Sequence, residues 1–129
     1  MEQLARQKAE AFRERVTSDS RWNLQSELMC QVFGFTLYGY VFGIGRLICF
    51  MDVEAINEIA ISQLAALGIG PQYAKGLVDS AFNSFMNKNG KSIYSQLVGI
   101  GHSHFAATDL GAVVDSIFSN TARLSRKSS

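Results

Sequence analysis

Apolar residues recur at helical spacing along most of the chain, and no segment alternates for long with period two. Leu4, Ala5, Ala9, Phe12 and Val16 form one stripe, with Arg6, Lys8, Glu10, Arg13 and Glu14 filling the other positions. This spacing predicts an amphipathic helix over residues 1–17 that ends before the TSDS cluster. Ser18, Asp19 and Ser20 are good N-cap types, so a second helix is expected to open on one of them, with Trp22 and Leu24 as its first apolar anchors.

The next stretch is the most apolar. Residues 28–45 carry no charge, about the length at which a membrane span becomes possible, and Gly39 and Gly43 form a small-xxx-small pair. Gln31, Thr36, Tyr38 and Tyr40 interrupt its surface, Arg46 cuts the run, and Asp52 and Glu54 follow at once. A charge at the centre of a span costs about 2.5–3.5 kcal/mol. The pattern therefore favours a helix buried on most sides, broken near Gly43–Gly45, over a membrane span.

Beyond it the punctuation is regular. Asp52 is a suitable N-cap, Glu54 lies where the helix dipole favours a negative charge, and Val53, Ile56, Ile59, Ala60, Leu64 and Leu67 mark a helix closing at Gly68. Pro71 stands at the first position of another helix, carrying Tyr73, Leu77, Val78, Ala81, Phe82, Phe85 and Met86. Asn89 and Gly90 in KNGKS signal a reversal, and Ser92–Val98 makes a short helix. A last helix opens near Thr108 or Asp109 with Leu110, Val113, Val114, Ile117 and Phe118 on one side, and residues 124–129 form a fraying tail. The expected fold is all-α: a single-domain bundle over residues 1–129, with five to six helices around a glycine-containing, largely buried central helix.

Composition narrows the class. The 129 residues suffice for one core, and 47 % apolar with 18 % charged residues suits a globular chain rather than a disordered one. Twelve Lys plus Arg against eleven Asp plus Glu give no global field to attract nucleic acid or anionic lipid. The N-terminus lacks the apolar run of a signal peptide, so the mature protein is expected to begin near Met1. Cys30 and Cys49 lie in the most apolar region and read as small buried residues in a reducing compartment.

The triplet Gly-Ile-Gly occurs at 43–45, 68–70 and 99–101, each time near an expected helix end. Around the second copy, QLAALGIGPQYAKGLV (63–78) resembles the helix-hairpin-helix motif of non-sequence-specific DNA-binding proteins, through Leu64, Gly68, Ile69, Gly70, Pro71, Ala74 and Leu77. VGIGHSHF (98–105) stands where the second of a tandem pair would fall. The resemblance implies a phosphate held at Gly68, Gly70 and the first turn after Pro71, with Lys75 beside it. Phosphate binding runs mostly on Lys and Arg, and the motif offers only Lys75, with Asp79 one turn on.

His102 and His104 invite comparison with a metal or nucleophile site. Residues two apart share a face only on an extended segment, no HExxH or paired CxxC is present, and Ser103 has no third group to orient a base. The histidines are expected to cap or hydrogen-bond a turn. No GxxxxGK[ST] occurs, and the GxG triplets lack the strand that a dinucleotide site needs. No enzyme activity, metal or cofactor is expected.

A broader resemblance covers residues 28–118. LYGYVFGIGRLICF (37–50), VEAINEIAISQLAALGIGPQYAKGLV (53–78) and SQLVGIGHSHF (95–105) look like a family of small all-helical immunity proteins encoded beside bacterial polymorphic toxins, including those of type VI secretion. The resemblance implies a cytoplasmic protein that binds a cognate toxin and blocks it, and it carries over no interface residues. From the residues themselves, the expected partner surface is the polar face of Asp52, Glu54 and Glu58 together with the hairpin edge near Tyr73. Between Leu28 and Asn87, four acids (those three and Asp79) against two bases (Arg46, Lys75) leave an acidic excess of two, suited to a basic toxin site. Exposed apolar surface on the glycine-bearing helix could equally form a homodimer seam.

Overall fold

Helix α1 (Glu2–Thr17) buries Ala5, Ala9, Phe12 and Val16 on one stripe, the stripe its spacing predicts. This is seen in a computed structural model, which describes residues 2–87 and 92–128. The KNGKS reversal around Asn89 and Gly90 lies outside the described residues.

The second helix does not open at the TSDS cluster. The Asp19 carboxylate instead accepts the Arg21 backbone N–H at 2.9 Å and grips the Arg21 guanidinium at 2.9 Å through both oxygens. Arg21 also reaches Asp115, at 2.9 Å, and lies over the Phe118 ring, which fastens this loop to the last helix. Trp22 packs edge-on against Phe33 with ring centres 5.6 Å apart. With Asp19 so engaged, Ser26 becomes the N-cap, accepting the Met29 N–H at 3.1 Å, and α2 runs Glu27–Gly43.

Helix α2 is the central helix, buried without interruption from Val32 to Val41. It touches every other helix, α5 most extensively. Each large side chain it buries, such as Phe33, Leu37 or Tyr38, contributes about 1.5–3 kcal/mol. The helical stretch Glu27–Ile48 is long and apolar enough to cross a membrane, and 78 % of its most apolar window is buried inside the fold. Tyr38 and Tyr40 both finish in this interior, and the Tyr38 hydroxyl donates to Asn57 Oδ1 at 2.6 Å. The helix changes character at the Gly43–Gly45 break. Ile44–Ile48 forms a π-helical turn, closed by the Cys49 N–H on the Ile44 carbonyl at 3.0 Å.

Asp52 caps α3 (Val53–Ala65) through Ala55 N–H at 2.8 Å. Gly68 then turns the chain at φ 95°, a left-handed conformation that glycine adopts without strain. Gly70 caps α4 (Pro71–Met86), with Pro71 at its first position. Arg13 ties α1 to α3 through Gln63 Oε1 at 2.7 Å.

The third Gly-Ile-Gly does not end a helix. Helix α5 spans Ile93–Ser103, capped by Ser92, and carries Gly99–Gly101 inside it. A β-carbon at Gly101 would strike the Thr36 carbonyl of α2, and one at Gly39 would strike the Val98 carbonyl of α5. Here glycine allows two backbones to meet, whereas the expectation was a terminator. Helix α6 (Gly111–Ser128) opens behind Asp109, whose carboxylate accepts the Gly111 N–H at 2.8 Å. It continues through the segment expected to fray from 124, with Leu124 packed on the core. Among the described residues the fold is an all-α bundle of six helices with α2 at its centre, as expected, and no buried side-chain polar atom lacks a partner.

Candidate partner-binding surfaces

Three surfaces hold the residues singled out from the sequence. The first is the α3–α4 hairpin. Gly68 and Gly70 lie in its exposed turn, ahead of the free N–H groups of α4. Lys75 faces Asp79, its Nζ 3.0 Å from the carboxylate, with both side chains exposed. Such a pair is worth about 0.3–0.5 kcal/mol, but it also neutralises the one cation between Gln63 and Val78. The supposed second hairpin, at 98–105, is part of α5 and its end, so the tandem pair does not form.

The histidines of that segment are accounted for. His104 Nδ1 lies 2.8 Å from the Ile100 carbonyl, which can only accept, so this nitrogen bears the proton. Ser103 donates to the same carbonyl at 2.8 Å. Both side chains thus close the C-terminus of α5, as expected for His104. The His102 ring instead packs against Phe85 and Phe105, with centres 5.3 and 5.6 Å away. No group of three metal-binding side chains occurs among the described residues. Cys30 and Cys49 are both buried and free, and burial pushes the Cys30 thiol up.

The second surface is the corner between α2 and α3. It brings together Asp52, Glu54 and Glu58, all exposed, and none of them forms an ion pair among the described residues. Tyr73 is not with them. Helices α3 and α4 are joined at the C-terminus of one and the N-terminus of the other, so Tyr73 lies about a helix length, roughly 20 Å, from Asp52. The corner also displays Leu47 and Phe50, both exposed although they fall in the apolar stretch before Asp52.

The third surface is a groove of about 780 Å³ between α2, α4 and the start of α5. It exists because α4 turns a row of small and polar residues outward. Gln72, Gly76, Ser80 and Asn83 fall on the same side as Leu77, and a β-carbon on Gly76 would meet nothing within 4 Å. Phe35 and Leu77 supply the apolar floor, and Tyr73 and Tyr94 stand half-exposed at its edges. Tyr94 is fixed by its contact with the Phe35 ring, centres 4.9 Å apart, and the Ser95 hydroxyl pins this end of α5 to the Ser84 carbonyl at 2.8 Å. Tyr73 donates to Glu27 at 3.4 Å. Partial burial pushes its phenol up, the Gln31 hydrogen bond opposes this, and the Glu27 carboxylate adds to it.

Among the described residues no ionised side chain lines the groove. Tyrosines with few rotatable bonds, surrounded by serine, glycine and amide side chains, make up the composition by which antibody loops hold proteins. Tyr73 was singled out from the sequence; Tyr94 was not. Its neighbour across the groove is 21 positions earlier in the chain, and no local pattern records such a pairing. Comparisons with protein-family models, with curated proteins and with solved structures find no match to this chain.

Proposed function

We propose that this chain is an immunity protein, which holds a cognate bacterial toxin by surface complementarity and needs no chemistry of its own. The observation that carries this is the groove: a firm, uncharged concavity with an apolar floor and two tyrosines held ready at its edges. Affinity in such interfaces rests on a few aromatic anchors supported by a packed scaffold. The interior supplies that support, with backbones meeting at Gly39 and Gly101 and no buried polar side-chain atom left unpaired among the described residues. The resemblance of residues 28–118 to immunity proteins supplies the class of partner and a cytoplasmic setting. Co-expression with a toxin domain encoded in the neighbouring gene tests it, and a neighbour that encodes none counts against the reading. The wild-type chain should rescue growth, and Tyr73→Ala with Tyr94→Ala should weaken the rescue; no rescue by the wild type would sink the reading.

One observation favours a second reading, a helix-hairpin-helix DNA binder. The α3–α4 turn has a left-handed Gly68, and Gly70 caps the N-terminus of α4. Neutralisation of Lys75 by Asp79 weighs against it, because phosphate affinity comes mainly from cations. A gel shift of duplex DNA at low salt, lost as salt rises and abolished by Lys75→Glu, would favour DNA. Indifference to both would exclude it.

A further inference from the structure

Among the described residues Phe50 is the one non-glycine residue at positive φ and the most exposed of the large hydrophobics. The residue is 84 % exposed, and its backbone sits at φ 54°, in the left-handed region that bulky side chains rarely occupy. Leu47, 57 % exposed, lies three residues before it. The strain is held in place by its neighbours. The π-helical turn closes with the Cys49 N–H on Ile44, the Met51 N–H bonds the Gly45 carbonyl at 2.8 Å, and Arg46 donates to the Met51 carbonyl at 2.9 Å. The left-handed residue lets the Met51 N–H close the π-helical turn, a need that glycine or asparagine would meet equally, so the fold uses the backbone turn here but not the aromatic ring it hands to solvent. Such outliers are retained at functional sites.

The same corner keeps a second unreturned cost. Asp52 serves as the α3 cap and Glu54 suits the helix dipole, but Glu58 falls one turn beyond Glu54 on the same exposed face, where like charges repel. A partner bringing positive charge would relieve that repulsion, while an apolar pocket would cover the ring. A second copy would bring the same excess of acids, three against Arg46, and so would relieve the repulsion less than a basic partner.

We infer that Phe50, with Leu47 beside it, is an anchor that enters an apolar pocket rimmed by lysine and arginine on the toxin. This rests on the immunity reading and adds a contact distinct from the groove, about 20 Å along α2 from Phe35.

The test measures binding of a toxin domain encoded in the neighbouring gene, by calorimetry for affinity and stopped flow for association rate, beside the thermal midpoint of each variant. Phe50→Asn and Phe50→Gly remove the ring and put at φ 54° residues that accept it. Both should keep or raise the midpoint while weakening binding about thirtyfold or more. Glu58→Lys should also weaken binding, chiefly by slowing association at low salt. If the wild type binds no toxin, the immunity reading fails and this inference with it. If the wild type binds and both Phe50 variants bind equally well, the anchor alone is refuted. A lowered midpoint in both variants would make the ring a structural element. A dimer in sedimentation that Phe50→Asn dissolves would assign it to self-association. Either result overturns the inference.

Discussion

Gly39 of α2 and Gly101 of α5 each lie against the other helix's backbone: a β-carbon on the first would run into the Val98 carbonyl, and one on the second into the Thr36 carbonyl. Two carbonyls cannot swing aside as a side-chain end can, so the helices must separate if either glycine is enlarged.

Alanine at Gly39 or at Gly101 is therefore expected to destabilise the protein by about 1–3 kcal/mol or more. The two changes damage one contact, so the double variant should lose less than the sum. Gly99 is the control. It sits in the same helix with nothing within 4 Å of its missing β-carbon, and alanine there should gain up to about 1 kcal/mol. Urea denaturation of the four variants checks this; a destabilising Gly99→Ala would contradict it.

The tyrosines of α2 set the alkaline limit. Burial raises Tyr38 strongly, with the Asp79 charge adding to it, and burial raises Tyr40 as well. In the unfolded chain both ionise near pH 10, while in the folded protein they stay neutral beyond it. Their contribution to stability is complete below pH 10 and is lost as pH climbs above it. Tyr38→Phe should cost about 1 kcal/mol at neutral pH, by unpairing Asn57, and should make the alkaline loss shallower. On the acid side, hydrogen bonds from Arg21 pull the Asp19 carboxyl to about 2. That contribution is present above the ordinary carboxylate range and fades as pH falls from about 4 toward 2, so Asp19→Asn should flatten this stretch. Denaturation midpoints measured from pH 2 to 11 test both limbs.

Asp52 separates structure from charge. Its carboxylate caps α3 through Ala55, a bond that asparagine can also make. Asp52→Ala should cost about 1 kcal/mol and Asp52→Asn much less. Equal losses in the two variants, measured by thermal unfolding, would show that the charge matters to the fold as well as the cap.

Periodicity and punctuation carried α1, the Asp52 cap, the Gly68 turn and Pro71 at the start of α4, because each depends on residues within a few positions. Two of the failures turn on partners far away in the chain. Asp19 looked like a cap and is held by Arg21, which in turn reaches Asp115; Gly99–Gly101 looked like a stop and is a crossing point with α2. Phe50 has the apolarity of a core residue, and only the geometry of the π-helical turn before it turns the ring outward. Of the expected partner surface, the three acids do lie together on one corner. Tyr73 belongs to a different place, because the groove is made by three helices whose packing no single segment encodes.

Gly76 gives the most direct test of that groove. A glycine in mid-helix gives up nearly 1 kcal/mol relative to alanine or leucine, and at this position no internal neighbour needs the space. The space opens instead into the groove between Phe35, Tyr73 and Tyr94. Gly76→Leu should therefore raise the thermal midpoint while filling the concavity. If a toxin segment occupies the groove, neutralisation in co-expressing cells should fall together with a binding loss of tenfold or more, roughly what one displaced apolar anchor is worth. If the stabilised variant protected cells as well as the wild type, the groove would not be the place where the toxin is held.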